Sequence, residues 1–189
     1  MFENVISDIK RYNDEHREIG FPKRAMYVFF RQDMWAIIIF RFGRWANYQC
    51  KIPVLTYLFK LIYFFLRKIC EIFLGVAIWP DSEIGPGLCC HYGGTYIKAK
   101  MGKNCTIGQH VIIGHIGGFR GEGVPSLGNN VYVGAGAKIL GEVRIGNNVK
   151  VGANAVVLTD VPDDMVAVGV PARVVKPRAI SKAVHEQVN

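Results

Sequence analysis

The chain has 189 residues, half of them hydrophobic and a fifth charged, enough apolar material for one sizeable domain or two small ones and too much for disorder over most of its length. Its formal charge of +8 asks for an acidic partner; with no recognisable nucleic-acid module, an anionic membrane surface ranks above nucleic acid, and a phosphate-bearing cofactor needs only a few of these charges. The five cysteines, Cys50, Cys70, Cys89, Cys90 and Cys105, are odd in number and lack metal-ligand spacing, so they read as reduced, small apolar side chains in a cytosolic protein, and no metal site is expected.

In chain order, residues 2–18 carry mixed charges at helical spacing and end at Gly20-Phe21-Pro22, which predicts a short amphipathic helix; Asp8, Asp14 and Glu15 interrupt any early apolar stretch of the signal-peptide kind. A second helix is expected over Asp33 to Tyr48. A third should begin near Pro53, a residue suited to the first helical position, and end before Gly75. Val54 to Leu74 is the best candidate for a membrane span. It contains Lys60, Arg67, Lys68 and Glu71, and its longest apolar run, Leu61 to Leu66, is far short of the roughly 20 residues a span requires. Aromatics are abundant here (Trp35, Phe40, Phe42, Trp45, Tyr57, Phe59, Tyr63, Phe64, Phe65, Phe73), edged by Arg31, Arg41, Arg44, Lys51, Lys60, Arg67 and Lys68. Two readings stand side by side. In one the helices lie in the headgroup region at the inner face of the cell membrane; in the other the rings pack within a bundle, against a neighbouring subunit or against the rest of the chain. Residues 1–75 form this helical region.

From Leu127 the period changes. Leu127, Val133, Ile139, Ile145, Val151 and Val157 recur every sixth position, four of the first five followed by glycine; Met101, Ile107 and Ile113 keep the same beat, and Ile78, Ile84 and Cys90 keep it more faintly. This is the hexapeptide repeat of a parallel β-helix, three six-residue units to a triangular coil, with the spaced residue pointing inward. Small residues such as Ala135, Ala137, Ala153 and Ala155 fit between corners. The beat fails once, between Ile113 and Leu127, where a glycine-rich insertion leaves the coil as a substrate-enclosing loop would. The domain is expected over residues 76–176, closing through Asp160, Pro162 and Pro171, with a polar tail over 177–189.

The stretches Gly134-Ala135-Gly136-Ala137-Lys138-Ile139-Leu140-Gly141, Val151-Gly152-Ala153-Asn154-Ala155-Val156-Val157, Asp160-Val161-Pro162 and Gly169-Val170-Pro171-Ala172-Arg173-Val174-Val175 resemble hexapeptide acyltransferases of the serine acetyltransferase type. Asp8-Ile9-Lys10-Arg11-Tyr12 and Phe40-Arg41-Phe42-Gly43-Arg44-Trp45 are similar, more weakly, to that family's helical domain, in the short form typical of the branch that O-acetylates bacterial polysaccharides. The resemblance implies a left-handed β-helix, a homotrimer, and acetyl-CoA between adjacent prisms, held by Ala135, Gly136, Lys150, Ala153 and Arg173; the charge of Lys176 suits it to meet the nucleotide phosphates as well.

Acetyl transfer to a hydroxyl needs a base, and neutral imidazole serves near pH 7. His91, in Cys89-Cys90-His91-Tyr92-Gly93-Gly94, resembles the family's catalytic histidine, and His115, opening the glycine-rich loop, is the second candidate; His110 ranks third. The family's aspartate partner is replaced within Ala77-Ile78-Trp79-Pro80, and its serine-recognising Arg-His pair by Gly123 and Val124 before Pro125. Trp79, Tyr92 and Phe119 are suited to stack on a sugar and Arg120 to bond its hydroxyls. The expectation is therefore O-acetylation of a polysaccharide or its lipid-linked precursor by direct attack, with a serine acetyltransferase-like enzyme for a small molecule or amino sugar as the alternative. A carbonic-anhydrase-like or non-catalytic solenoid, which would need three metal-binding histidines, stands last.

Overall fold

The computed structural model describes residues 2–15, 30–50, 52–91, 93–115 and 123–177, with positions 20, 23 and 26. Helix α1 spans Phe2–Glu15, α2 spans Gln32–Tyr48 and α3 spans Pro53–Ile69. Pro53 takes the first turn of α3, where its missing N–H costs nothing. The helix continues through one π-helical turn, Cys70–Leu74, and stops at Gly75, whose left-handed φ of 62° suits a residue without a Cβ. Residues 16–18 of the expected first helix lie outside the described residues, as does the tail from 178 onward.

Among the described residues fifteen short strands follow, numbered in chain order, and they stack into three sheets. The first holds β1 (Val76–Ile78), β4 (Thr95–Ile97), β7 (Ile112–Gly114), β10 (Lys138–Leu140) and β13 (Val156–Val157). The second holds β2 (Glu83–Ile84), β5 (Lys100–Met101), β8 (Ser126–Leu127) and β11 (Arg144–Ile145). The third holds β3 (Cys89–Cys90), β6 (Thr106–Ile107), β9 (Tyr132–Val133), β12 (Lys150–Val151), β14 (Val166–Val168) and β15 (Arg173–Val175). All pairings are parallel except β14 with β15, which turns back and closes the far end. This is the left-handed hexapeptide β-helix that the six-residue beat requires, with a helical region ahead of it.

Every residue on the beat points inward and is buried, from Ile78, Ile84 and Cys90 to Val157. The phase slips once. Cys90 to Ile97 takes seven positions and Ile97 to Met101 only four, so the corner carrying His91 is longer than the repeat and the next corner shorter. The two steps together span eleven positions, one short of two repeats, so the beat of the first coil is out of phase with the rest. Another corner is built on asparagine: Asn104, Asn130, Asn148 and Asp164 all take left-handed backbone, which Asn and Asp tolerate best among non-glycine residues. Their side chains form a ladder, with Asn104 donating to Asn130 at 3.4 Å, Asn130 to Asn148 at 3.0 Å and Asn148 to Asp164 at 2.9 Å.

The first coil leaves an open sheet edge, and α1 and α2 cover it with side chains. The Tyr12 hydroxyl accepts from the Cys90 N–H at 3.1 Å and lies 3.0 Å from the Cys90 carbonyl, taking the place of a further strand beside β3. Asp8 accepts from the Leu88 N–H at 2.8 Å, and Arg41, itself paired with Asp8 at 3.0 Å, donates to the carbonyls of Ile84 and Gly85. Arg44 donates to the Ser82 carbonyl and Arg11 to that of Gly87. The outward side of β3 is thereby buried too, which is why both Cys89 and Cys90 are inaccessible although they point to opposite faces. Layer α3 packs on α2, where the Tyr63 ring occupies the space a Cβ on Gly43 would fill.

Candidate active site

Each coil passes from the third sheet to the first through one corner, and stacking the coils turns that corner into a ridge. The register fixes its order. The His91 N–H donates to Ile107 at 2.9 Å, Gly108 to Val133 at 2.8 Å, Gly134 to Val151 at 2.8 Å and Gly152 to Ala167 at 2.8 Å. The ridge therefore reads His91, then Gly108 to His110, then Gly134 to Gly136, then Gly152 to Asn154. At about 4.8 Å per coil, His91 and Ala153 are roughly 14 Å apart along it. Glycine is enforced where coils touch: a Cβ on Gly108 would lie 2.6 Å from the Ala135 nitrogen, and one on Gly134 would lie 2.6 Å from that of Ala153. Ala135 and Ala153 face outward on the ridge, exposed and small.

His91 stands half-buried at the head of the ridge. Its loop is held from below by Gly93 donating to the Leu74 carbonyl at 3.1 Å and from beside by His110, whose N–H donates to the Gly93 carbonyl at 2.7 Å. The His110 ring lies against the loop, with Nδ1 only 2.4 Å from the point where a Cβ on Gly94 would stand. Sequence reasoning ranked His110 last because nothing in the one-dimensional pattern relates it to position 91. Its coil-to-coil offset supplies that relation. Burial pushes the Cys90 thiol far above its ordinary range, with the neighbouring Cys89 second among the causes, so Cys90 cannot act as a thiolate nucleophile.

His115 sits elsewhere. It follows β7 at the corner between the first and second sheets, exposed, one residue beyond the column that Trp79, Lys98 and Gly114 share. Within one chain the two candidate bases thus lie on different corners of the prism, separated by the width of the first sheet. Trp79 is sandwiched in a cluster of its own: the Arg67 guanidinium is 4.3 Å from its ring centre, Lys98 5.5 Å, and Tyr96 meets it edge-on at 6.3 Å. At the exit of the glycine-rich loop the Glu142 carboxyl fills the position where Gly123 lacks a Cβ, within 2.7 Å, a neighbour no sequence motif indicated. Tyr92, Phe119 and Arg120 lie outside the described residues.

Of the expected cofactor contacts, Ala135, Gly136 and Ala153 belong to the ridge, and Arg173 lies at its foot, paired with Val168 on the closing strand. Lys150 stands exposed on the third sheet between Tyr132 and Val166, and Lys176 is exposed just after β15. The small, flat ridge with cations near its lower end fits an extended chain carrying a phosphorylated terminus. Among the described residues, no three His, Cys, Asp or Glu side chains gather as a metal site.

Residues 125–159 match the family model described as bacterial transferase hexapeptide (six repeats). The chain is similar to a serine acetyltransferase of Synechococcus elongatus, 41% identical over 143 residues that cover 74% of this chain and 55% of the relative. Among solved structures, a soybean serine acetyltransferase apoenzyme superposes with a TM-score of 0.73 at 30% identity, covering 92% of this chain and 68% of that one. The Neisseria gonorrhoeae serine acetyltransferase gives 0.74 at 30% identity, covering 92% and 65%. The chain spans about half the length of the curated relatives it matches. These relatives carry the weight away from the polysaccharide branch expected from the short helical region and towards serine acetyltransferases.

Proposed function

Since the chain belongs to the hexapeptide transferase family, we propose that it is an acetyl-CoA-dependent O-acetyltransferase of the serine acetyltransferase type, acting on the hydroxyl of a small acceptor. The observation that carries this reading is the single ridge on which His91, Ala135 and Ala153 stand, with Arg173 on the closing strand at its foot. Acetyl-CoA supplies the activated acetyl thioester. Ala135 and Ala153 let the pantetheine arm lie against backbone, while Arg173, Lys150 and Lys176 meet the phosphates. His91 takes the proton from the acceptor hydroxyl as its oxygen bonds to the acetyl carbon, and the carbon–sulfur bond breaks. The proton then passes to the departing sulfur. Direct attack is favoured because Cys90, the thiol next to the base, is buried and held neutral. A homotrimer, the arrangement the resemblance implies, would bring the ridge of one prism beside the loop corner of the next, uniting His91 with the residues around His115 and Glu142 across a subunit boundary.

One observation favours a second reading. Gly123 and Val124 offer no cation for an amino acid's carboxylate, and Glu142 places a negative charge at the same spot. A sugar or amino-sugar hydroxyl, in a small molecule or a polysaccharide precursor, suits that surface better than serine. Thiol release from acetyl-CoA decides between them: turnover with serine and none with hexoses or hexosamines upholds the first reading, the reverse pattern upholds the second, and release with no acceptor at all removes both.

A further inference from the structure

We infer that the outer face of α3 and its π-helical turn is a docking surface for an anionic lipid bilayer. The inner face of α3 is fully engaged on α2 and the first coil: Phe59 meets Phe42 edge-on at 5.9 Å and Trp45 at 5.3 Å, Tyr63 is buried on Gly43, and Arg67 covers Trp79. Among the described residues, the outer face packs on no other element. Tyr57, Ile72 and Phe73 are each about three-quarters exposed, and Leu58, Leu61, Phe64, Phe65 and Ile69 about half. At 100° per residue these positions form one broad continuous stripe, an exposed apolar patch of the kind that marks an interaction surface.

Charge selects the occupant. The exposed charged side chains from 53 to 74 are Lys60 and Lys68; the one carboxylate, Glu71, is half-buried with both oxygens taken, by Arg67 at 2.7 Å and Lys68 at 2.7 Å. The pair of cations holds the Glu71 pKa below its ordinary value. A second copy docking by the same face would bring the same two lysines and no acidic partner among the described residues. Anionic headgroups supply the missing charge, and the apolar stripe with aromatic rings beside lysines is the composition of a helix lying at the headgroup boundary. No described helix is long and apolar enough to cross a membrane, so the contact is along the surface.

Co-sedimentation of the full chain with phosphatidylcholine vesicles, with and without phosphatidylglycerol, tests this. Wild type should pellet with the mixed vesicles at least about tenfold more than with phosphatidylcholine alone, and the preference should fall as salt rises past roughly 0.1 M, where the screening length is about 10 Å. Lys60→Gln with Lys68→Gln should lose the preference, and Phe64→Ser with Phe65→Ser and Phe73→Ser should lose pelleting altogether, both sedimenting in solution as the wild-type species does. Tyr57→Trp gives an arm that leaves the stripe apolar: its fluorescence should shift to the blue and be quenched by brominated lipid. Wild type remaining in the supernatant with both vesicles overturns the inference, as does dissociation of an oligomer by the triple substitution without loss of helix, which would make the face a subunit contact.

Discussion

Replacing Tyr12 by Phe isolates the hydrogen bonds by which the helical region closes the first coil. The ring stays, so no cavity forms; only the hydroxyl goes. Tyr12 is 0% exposed and Cys90 1%, so water cannot replace what is lost, and the N–H and carbonyl of Cys90 both lose their partner on the outer side of β3. Asp33, 3.3 Å from the same hydroxyl, keeps its bonds from Arg31 and from the Met34 N–H. An unsatisfied buried group costs about 1–3 kcal/mol, so two give a loss of about 2–6 kcal/mol. With a urea slope of about 2 kcal/mol per molar, the unfolding midpoint should fall by about 1–3 M at matched protein concentration. Because Cys90 precedes His91, turnover should fall further than stability requires under conditions where the variant is fully folded. A midpoint within about 0.2 M of wild type would refute the view that this hydroxyl substitutes for a strand.

His91→Gln should lower acetyl transfer by about 10² to 10⁴ with the coil intact, while His115→Gln lowers it less; the opposite ranking moves the base to the loop corner. Ala153→Tyr should abolish acetyl-CoA binding, read by calorimetry, with the unfolding midpoint unchanged, since the side chain points off the ridge. Gly108→Val, by contrast, should destabilise strongly, its side chain meeting backbone of the next coil within 3 Å, as thermal unfolding will register. A thiol reagent should label Cys50 quickly in the native protein and Cys70, Cys89, Cys90 and Cys105 only after unfolding, since all four are buried; rapid labelling of Cys90 would contradict its raised pKa.

The solenoid was legible because inward packing repeats a single requirement: each position from Leu127 to Val157 meets the same neighbours one coil away, and the chain shows the period directly. The helices were legible from their ends, Pro53 and Gly75 being chosen by backbone geometry alone. What was hidden depends on relations between coils of unequal length. The extra residue around His91 puts His110 against Gly93 and Gly94 of its loop, and the insertion after Ile113 sets Glu142 against Gly123. Tyr12, Asp8 and Arg41 were visible as a weak family echo, yet their task of satisfying an open sheet edge is a property of the assembled fold. The aromatic excess in residues 33–74 was plain in the composition; how it divides between Phe42, Trp45 and Phe59 inside and Phe64, Phe65 and Phe73 outside is decided by which side of α3 meets α2.

The two ends of the prism are shut in different ways, by polar side chains of α1 and α2 at one end and by the reversed strand β15 at the other. A stack so terminated cannot lengthen by addition at either tip. Variation in height must come from duplicating or deleting whole eighteen-residue storeys in the interior, where Lys138 above Val156 and Ser126 above Arg144 show that neighbouring storeys are interchangeable in register. Such a change would move His91 relative to Arg173 by about 4.8 Å per storey, so the height of the tower fixes the spacing along the ridge, and the plugs at both tips keep it so.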